Sequence, residues 1–243
     1  MIDLKKLKIK IFADGADLKS ILELDKNPMI KGFTTNPTLM RKAGITSYVE
    51  FAKDILKKIN KPISFEVFAD DLQSMRIQAK EIASWSNNVN VKIPITNTKG
   101  ESTIELIKEL SKDGIICNVT AIFTLEQVAE VLDVINPKTS SILSIFAGRI
   151  ADTGVDPVPI MKEALKMADN NSKASILWAS PREILNIFQA EQIGCHIITV
   201  SHDILNKLSI INKDLKEFSL ETVLMFFNDA KSAGYNIETE IKD

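Results

Sequence analysis

Residues 88–96 read Asn-Val-Asn-Val-Lys-Ile-Pro-Ile-Thr. Val89, Val91, Ile93 and Ile95 alternate with Asn90, Lys92, Pro94 and Thr96, the period-2 pattern of a β-strand. Successive side chains of a strand point to opposite faces, so Lys92 lies on a polar face with the aliphatics behind it. On an ordinary sheet that polar face meets solvent, and Lys92 is a surface lysine. In a parallel barrel the aliphatic face packs on surrounding helices and the polar face points into the barrel mouth. Enclosure there favours the neutral, nucleophilic form of an amine. The rest of the chain has to decide between these two readings.

The rhythm around this strand is repetitive: a short apolar or β-branched run, then an amphipathic helical pattern. Strands are expected at about 8–14, 30–34, 63–69, 88–96, 115–120, 140–146, 174–179 and 196–200. Helical patterns follow from Asp17, over 47–59, 71–85, 102–112 and 125–134, after Asp156-Pro157, after Pro181, and near 203–208. Asp156 as cap with Pro157 in the first helical position is a start signal. Eight strand–helix units in 243 residues predict a (β/α)8 barrel, whose usual length is about 250 residues. One further helix, about 219–234 with Gly234 at its C-terminal end, lies beyond the eight units. No linker or composition shift divides the chain, so residues 1–243 are expected to form one barrel domain. A doubly wound sheet lacks support, since no glycine-rich dinucleotide fingerprint or phosphate loop occurs.

Composition narrows the function classes. A net charge of −2 makes no electrostatic case for nucleic acid or an anionic membrane. No apolar run approaches the ~18 residues of a membrane helix. Met1 to Lys10 is charged and lacks the apolar core of a secretory signal. Cys117 and Cys195 are far apart, with no Cys-x-x-Cys spacing, which suits a reducing cytoplasm. Two histidines and two scattered cysteines argue against a metal centre, and no cofactor is expected.

In a parallel barrel, polar residues near the C-terminal ends of strands are the active-site candidates. Strand parity collects Asp14, Thr34 and Asn36, Glu66, Lys92, Asn118 and Thr120, Ser144 and Phe146, and Ser180 with Arg182 beyond it. Arg149 follows Gly148 after strand six. Taken singly each has a plain role: Asp14 and Asn36 as loop caps, Glu66 in a structural pair, Arg149 in a surface ion pair. His202 reads as a loop or helix-start residue. Taken together, one lysine, two carboxylates and several hydroxyls and amides converge on one mouth. Unmatched burial costs about 1–3 kcal/mol per polar group, so a merely structural core would shed them. The set suits a carbonyl substrate captured by an amine, with carboxyl groups moving the protons. Arg182, with Ser180 near a helix start, suits a phosphate.

Several segments, in order, resemble the transaldolase family: Thr34-Thr35-Asn36-Pro37-Thr38, Val91-Lys92-Ile93-Pro94-Ile95-Thr96, Asn118-Val119-Thr120, Phe146-Ala147-Gly148-Arg149-Ile150 and Ala179-Ser180-Pro181-Arg182. The resemblance spans nearly the whole chain, and its length is similar to that of the small transaldolases and fructose-6-phosphate aldolases. It implies a TIM-barrel enzyme of cytoplasmic carbohydrate metabolism, in the pentose phosphate pathway. A Schiff base on Lys92 would transfer a dihydroxyacetone unit from fructose 6-phosphate or sedoheptulose 7-phosphate to an aldose phosphate. It further implies Asp14 as acid/base and Glu66 with Thr120 as the water-positioning pair. Thr34, Asn36, Asn118, Ser144 and Phe146 would line the donor site, and Ser180, Arg182 and Arg149 would hold the phosphate. Glu66, Phe146 and Asn118 resemble the transferases; the aldolase relatives have Gln and Tyr at the first two and lack that Asn. Gly15, Ile145 and the Val200-Ser201-His202 strand end depart from the family pattern at the mouth of the site, which bears on the acceptor and allows an unusual anionic sugar; the lyase reaction of the aldolase relatives is the other alternative. The resemblance also implies a homo-oligomer, pentameric or decameric, joined through the last helix.

Overall fold

The computed structural model describes residues 4–171 and 173–238. Eight parallel strands close into a barrel in sequence order. They are β1 (Lys10–Asp14), β2 (Ile30–Thr34), β3 (Ile63–Glu66), β4 (Val89–Pro94), β5 (Cys117–Ile122), β6 (Ser141–Ile145), β7 (Ala174–Trp178) and β8 (Ile197–Ser201). Around them run α1 (Leu18–Asp25), α2 (Pro37–Lys42), α3 (Tyr48–Leu56), α4 (Leu72–Ser84), α5 (Ile104–Lys112), α6 (Leu125–Val134), α7 (Ala147–Asp152), α8 (Pro157–Ala168), α9 (Leu185–Gln192), α10 (His202–Asn206) and α11 (Leu215–Ser232). Among the described residues no helix is long and apolar enough to cross a membrane.

The expected strand–helix order is therefore observed, and it matters for Lys92. Val91 and Ile93 are fully buried in the layer between barrel and helices, while Asn90 and Lys92 are buried on the opposite, inner side. A (β/α)8 barrel is closed, so neither face of β4 meets bulk water. The one-sided surface strand is excluded.

The barrel interior divides into two halves. Phe12, Ile142, Leu177, Ala179 and Ile197, with Phe146 packed on them, form an apolar cluster separate from the main core. They come from β1 and from the β6–β8 side. The polar side carries Thr34, Ser64, Asn90, Lys92, Asn118 and Thr120 of β2 to β5, all buried, joined by buried Ser144 of β6 and Thr199 of β8. Phe12 needs its neighbour to be glycine: a Cβ on Gly32 would lie 2.6–2.8 Å from the Phe12 ring.

Strand ends shift by up to three residues from expectation, β3 stopping at Glu66 instead of 69, and four further departures each have a local reason. Asn36 starts α2 instead of a loop, because its side chain accepts the Leu39 N–H and Pro37 fills the first helical position. A second short helix, α7, directly follows β6. Pro181 does not open a helix; residues 181–184 are irregular, and the Asn186 carboxamide accepts the N–H groups of Arg182 (2.7 Å) and Glu183 (3.1 Å) before α9 begins. The final helix starts at Leu215, ahead of the expected start near 219, where Asp214 caps the N–H groups of Lys216 and Glu217.

At the β6–α7 junction the chain passes unusually close to the β7 loop. A Cβ on Gly148 would sit 1.6 Å from the Ser180 carbonyl oxygen, and Ser180 itself is held at φ 59°. Backbone cannot move aside as a flexible side chain can. We expect Gly148→Ala to lower stability by about 3 kcal/mol, read as a fall in the urea midpoint with an unchanged slope.

Candidate active site

Register aligns the central residues. Glu66 pairs with Lys92 across β3–β4, and Lys92 pairs with Asn118 across β4–β5. Three inward side chains thus sit side by side near the C-terminal ends of their strands. The Lys92 Nζ lies 3.1 Å from the Glu66 carboxylate and donates to the Thr35 carbonyl at 3.2 Å. Lys92 is only 7% exposed. An ammonium this enclosed requires a counter-charge and hydrogen-bond acceptors, and both are present.

Asn118 continues the polar row. Its amide donates to the Ser64 hydroxyl at 3.0 Å, and its carbonyl accepts the Ser144 hydroxyl at 2.6 Å. The chain Ser64–Asn118–Ser144 locks the amide orientation. Thr120, one pleat further along β5, is buried with its hydroxyl unpartnered. An orphaned hydroxyl at a barrel mouth is available to a water or a ligand.

Asp14 occupies the end of β1. Its carboxylate accepts the Thr34 hydroxyl at 2.7 Å, and Thr34 is in turn hydrogen-bonded to Thr199 on β8. Burial pushes the Asp14 carboxyl above its ordinary value. The Lys92 charge and the Thr34 bond pull it back down, and Glu66 adds to the upward push. Desolvation leads this balance, so the acid holds a proton more readily than a surface aspartate.

The outer rim is looser. Phe146 is half-buried, packs 5.7 Å from the Phe123 ring, and lies under the exposed Arg149 guanidinium at 5.7 Å. The Arg182 Nε donates to the Asp152 carboxylate at 3.0 Å, and its Nη2 donates to the other oxygen of that group. Asp152 thus takes the bidentate edge of Arg182. Asn36 caps α2 with its carboxamide oxygen. Lys92, Glu66, Asp14, Thr34, Asn118, Thr120 and Ser144 are therefore assembled in the barrel, whereas Phe146, Arg149, Ser180 and Arg182 belong to its rim.

Known proteins resemble this chain over most of its length. The family model for transaldolase/fructose-6-phosphate aldolase matches residues 11–242. This chain belongs to that family. A probable transaldolase of Thermoanaerobacter sp. (strain X514) is 32% identical over 230 residues, covering 94% of this chain and all of the relative. A probable transaldolase 2 of Listeria monocytogenes is 34% identical, covering 82% of this chain and 88% of the relative. A probable transaldolase of Methanococcus maripaludis is 31% identical, covering 89% and 96%.

Three side chains bonded to this set do not follow from strand ends: Thr199 to Thr34, Ser64 to Asn118, and Tyr48 to the Glu66 backbone. Thr199 lies on β8 opposite Phe12, and its parity with Ser201 was the available signal. Ser64 shares a face with Glu66, two residues away. Tyr48 comes from a helix, where no strand pattern applies. Neither histidine joins the group: His196 accepts the Ile176 N–H through Nδ1 at the base of the barrel, and His202 starts α10.

The upward push on Asp14 has a pH consequence. Its folded-state value is raised above the ordinary 3.8, so the native state binds the proton more tightly and the burial penalty appears as pH rises through that window. Asp14→Asn keeps the shape and the acceptor for Thr34. We expect the variant to gain stability relative to wild type as pH rises from 4 to 7, measured as the difference in Tm. A constant difference would contradict the shift.

Proposed function

We propose that the chain is a transaldolase acting through a Schiff base on Lys92, moving a three-carbon ketone unit between phosphosugars. The observation that carries this reading is the enclosed Lys92–Glu66 contact at 3.1 Å, set among hydrogen-bonded side chains in a closed barrel. Transfer of an Nζ proton to Glu66 frees the lone pair of the amine, which attacks the ketone carbonyl of the donor. Glu66, with a water held at the Thr120 hydroxyl, then returns the proton as the carbinolamine loses water and the iminium forms. The iminium accepts the electron pair of the breaking C3–C4 bond while Asp14 removes the C4 hydroxyl proton. An aldehyde leaves, and an enamine remains on Lys92. Attack of the enamine on an acceptor aldehyde reverses these steps, with Asp14 giving its proton to the new hydroxyl. A carboxyl raised by burial suits this alternating role.

Thr34, Asn36, Asn118 and Ser144 are the proposed contacts of the donor hydroxyls, with Phe146 as an apolar wall. Ser180, Arg149 and Arg182 are the proposed phosphate contacts. The Arg182–Asp152 pair is about half exposed, and exposed pairs contribute about 0–1 kcal/mol, so a phosphate dianion can displace Asp152. Glu66 and Phe146 favour transfer over simple cleavage, as in the transferases the chain resembles. Gly15 and Ser201 bear on the acceptor. The free, buried Cys117 and Cys195 fit a cytoplasmic location.

We also propose that copies of the chain associate through α11. This helix has no buried residue, and Leu220 and Phe227 are 60% and 64% exposed. With Val223 and Leu224 they recur at helical spacing, and a contiguous apolar face of this kind marks an interface. Light scattering is expected to give a multiple of the chain mass, five- or tenfold by the family resemblance. A monomer at micromolar concentration would refute it.

Borohydride added in the presence of fructose 6-phosphate should leave a three-carbon adduct on Lys92, located by peptide mass spectrometry. Absence of that mass shift sinks the Schiff-base reading. Release of free dihydroxyacetone without an acceptor, at the rate of turnover, would make the enzyme a lyase.

A further inference from the structure

The edge of β3 facing β2 is unpaired at the barrel mouth. The β2–β3 register ends at Thr34 opposite Ser64, with the Thr35 N–H donating to the Ser64 carbonyl at 3.2 Å. Beyond that point Asn36 turns away to cap α2. Along β3 the odd residues bond to β4, as shown by the Val67 N–H on the Lys92 carbonyl at 3.1 Å. The even residues face β2, so the N–H and C=O of Glu66 point where no strand remains.

Tyr48 fills that place. Its hydroxyl accepts the Glu66 N–H at 2.7 Å and donates to the Glu66 C=O at 3.0 Å. One oxygen thus satisfies both backbone groups of one residue, as a neighbouring strand would. The ring is itself fixed, packing edge-on against Phe68 at 4.3 Å and Phe65 at 5.9 Å, with Trp85 at 6.1 Å. Burial raises the phenol well above its ordinary range, so the hydroxyl stays protonated and the two bonds persist throughout the working pH range. Thr35, whose carbonyl accepts the Lys92 ammonium, also hydrogen-bonds the Ser64 carbonyl through its hydroxyl at 2.9 Å. The strand end carrying Glu66 and the carbonyl steering Lys92 are therefore braced together.

We propose that Tyr48 is a positioning residue of the reaction, holding the Glu66 backbone so that its carboxylate stays at contact distance from Lys92. This rests on the role given to Glu66 above. A plainly structural tyrosine would also complete the strand edge, but its loss would weaken the fold without acting through Glu66. A positioning tyrosine loses its effect once Glu66 can no longer transfer protons, because the effects of groups acting as a unit do not add.

The test is a double-mutant cycle of Tyr48→Phe and Glu66→Gln in the full-length protein, assayed for transfer from fructose 6-phosphate. Phe keeps the ring packing and removes only the hydroxyl. Tyr48→Phe is expected to lower kcat about 10- to 100-fold with KM within about twofold, the scale of a small misplacement of a catalytic group. In the Glu66→Gln background the same change should lower kcat by less than about twofold. Equal losses in both backgrounds, or no loss of kcat in the first, would overturn the proposal. Should Tyr48→Phe fail to fold, 4-fluorophenylalanine at position 48 keeps the ring and fills the place of the oxygen while removing the O–H. The same non-additivity is then expected, and additivity overturns the proposal. Borohydride trapping is run alongside on wild type: no Lys92 adduct refutes the Schiff-base reading, whereas an adduct with additive losses refutes the role of Tyr48 alone.

Discussion

Closure of eight parallel strands into a barrel leaves every strand with one face against helices and one face inside. That constraint places Glu66, Lys92 and Asn118 in a single row, since register across β3, β4 and β5 pairs them directly. It also removes water from both sides of β4, so a lysine there must find its acceptors within the protein. The Glu66 carboxylate and the Thr35 carbonyl are those acceptors. Truncating one member of a buried pair typically costs about 3–5 kcal/mol, so the rest of the site is built to keep the pair intact. The Tyr48 hydroxyl, the Thr35 bond to Ser64 and the Ser64–Asn118–Ser144 chain all brace residues on the same three strands or their neighbours.

The interior is unequal by design of its side chains. Phe12, Ile142, Leu177 and Ile197 fill one half with apolar volume, and Gly32 yields the space that the Phe12 ring occupies. The polar side therefore works against an apolar wall, where each charge–charge contact is stronger than in water. Asp14 stands at the boundary between the halves, which is why desolvation leads the balance that raises it. The rim behaves differently. Arg149 and Arg182 are exposed and hold partners that solvent screens, so they can exchange those partners for a ligand at little cost.

Much of this was readable along the chain because strands carry their facing rule in their parity. Asp14, Glu66, Lys92, Asn118 and Thr120 could each be assigned to an inner face from alternation alone, and eight such runs implied the barrel. Parity failed where the contact comes from another kind of element or from chain reversal. Tyr48 belongs to the first turn of α3, and nothing in its neighbours Ser47 and Val49 points to Glu66. Pro181 read as a helix start, but the Asn186 side chain claims the N–H groups that a helix would have offered an anion. Asn36 read as a ligand contact and also caps α2 through its carboxamide.

The sequence by itself determined the strand–helix rhythm, the barrel, the inward direction of Lys92 and the family resemblance, because each depends on periodicity or on short local motifs. Tertiary structure alone decided which acceptors meet the Lys92 ammonium, where the apolar cluster of the interior sits, and how the open edge of β3 is closed. Those outcomes depend on distances between segments tens of residues apart, and no local pattern encodes them. Gly148 shows the difference in one residue. Its place after β6 was visible in the chain, but its need to be glycine arises only from the Ser180 carbonyl that folding brings against it.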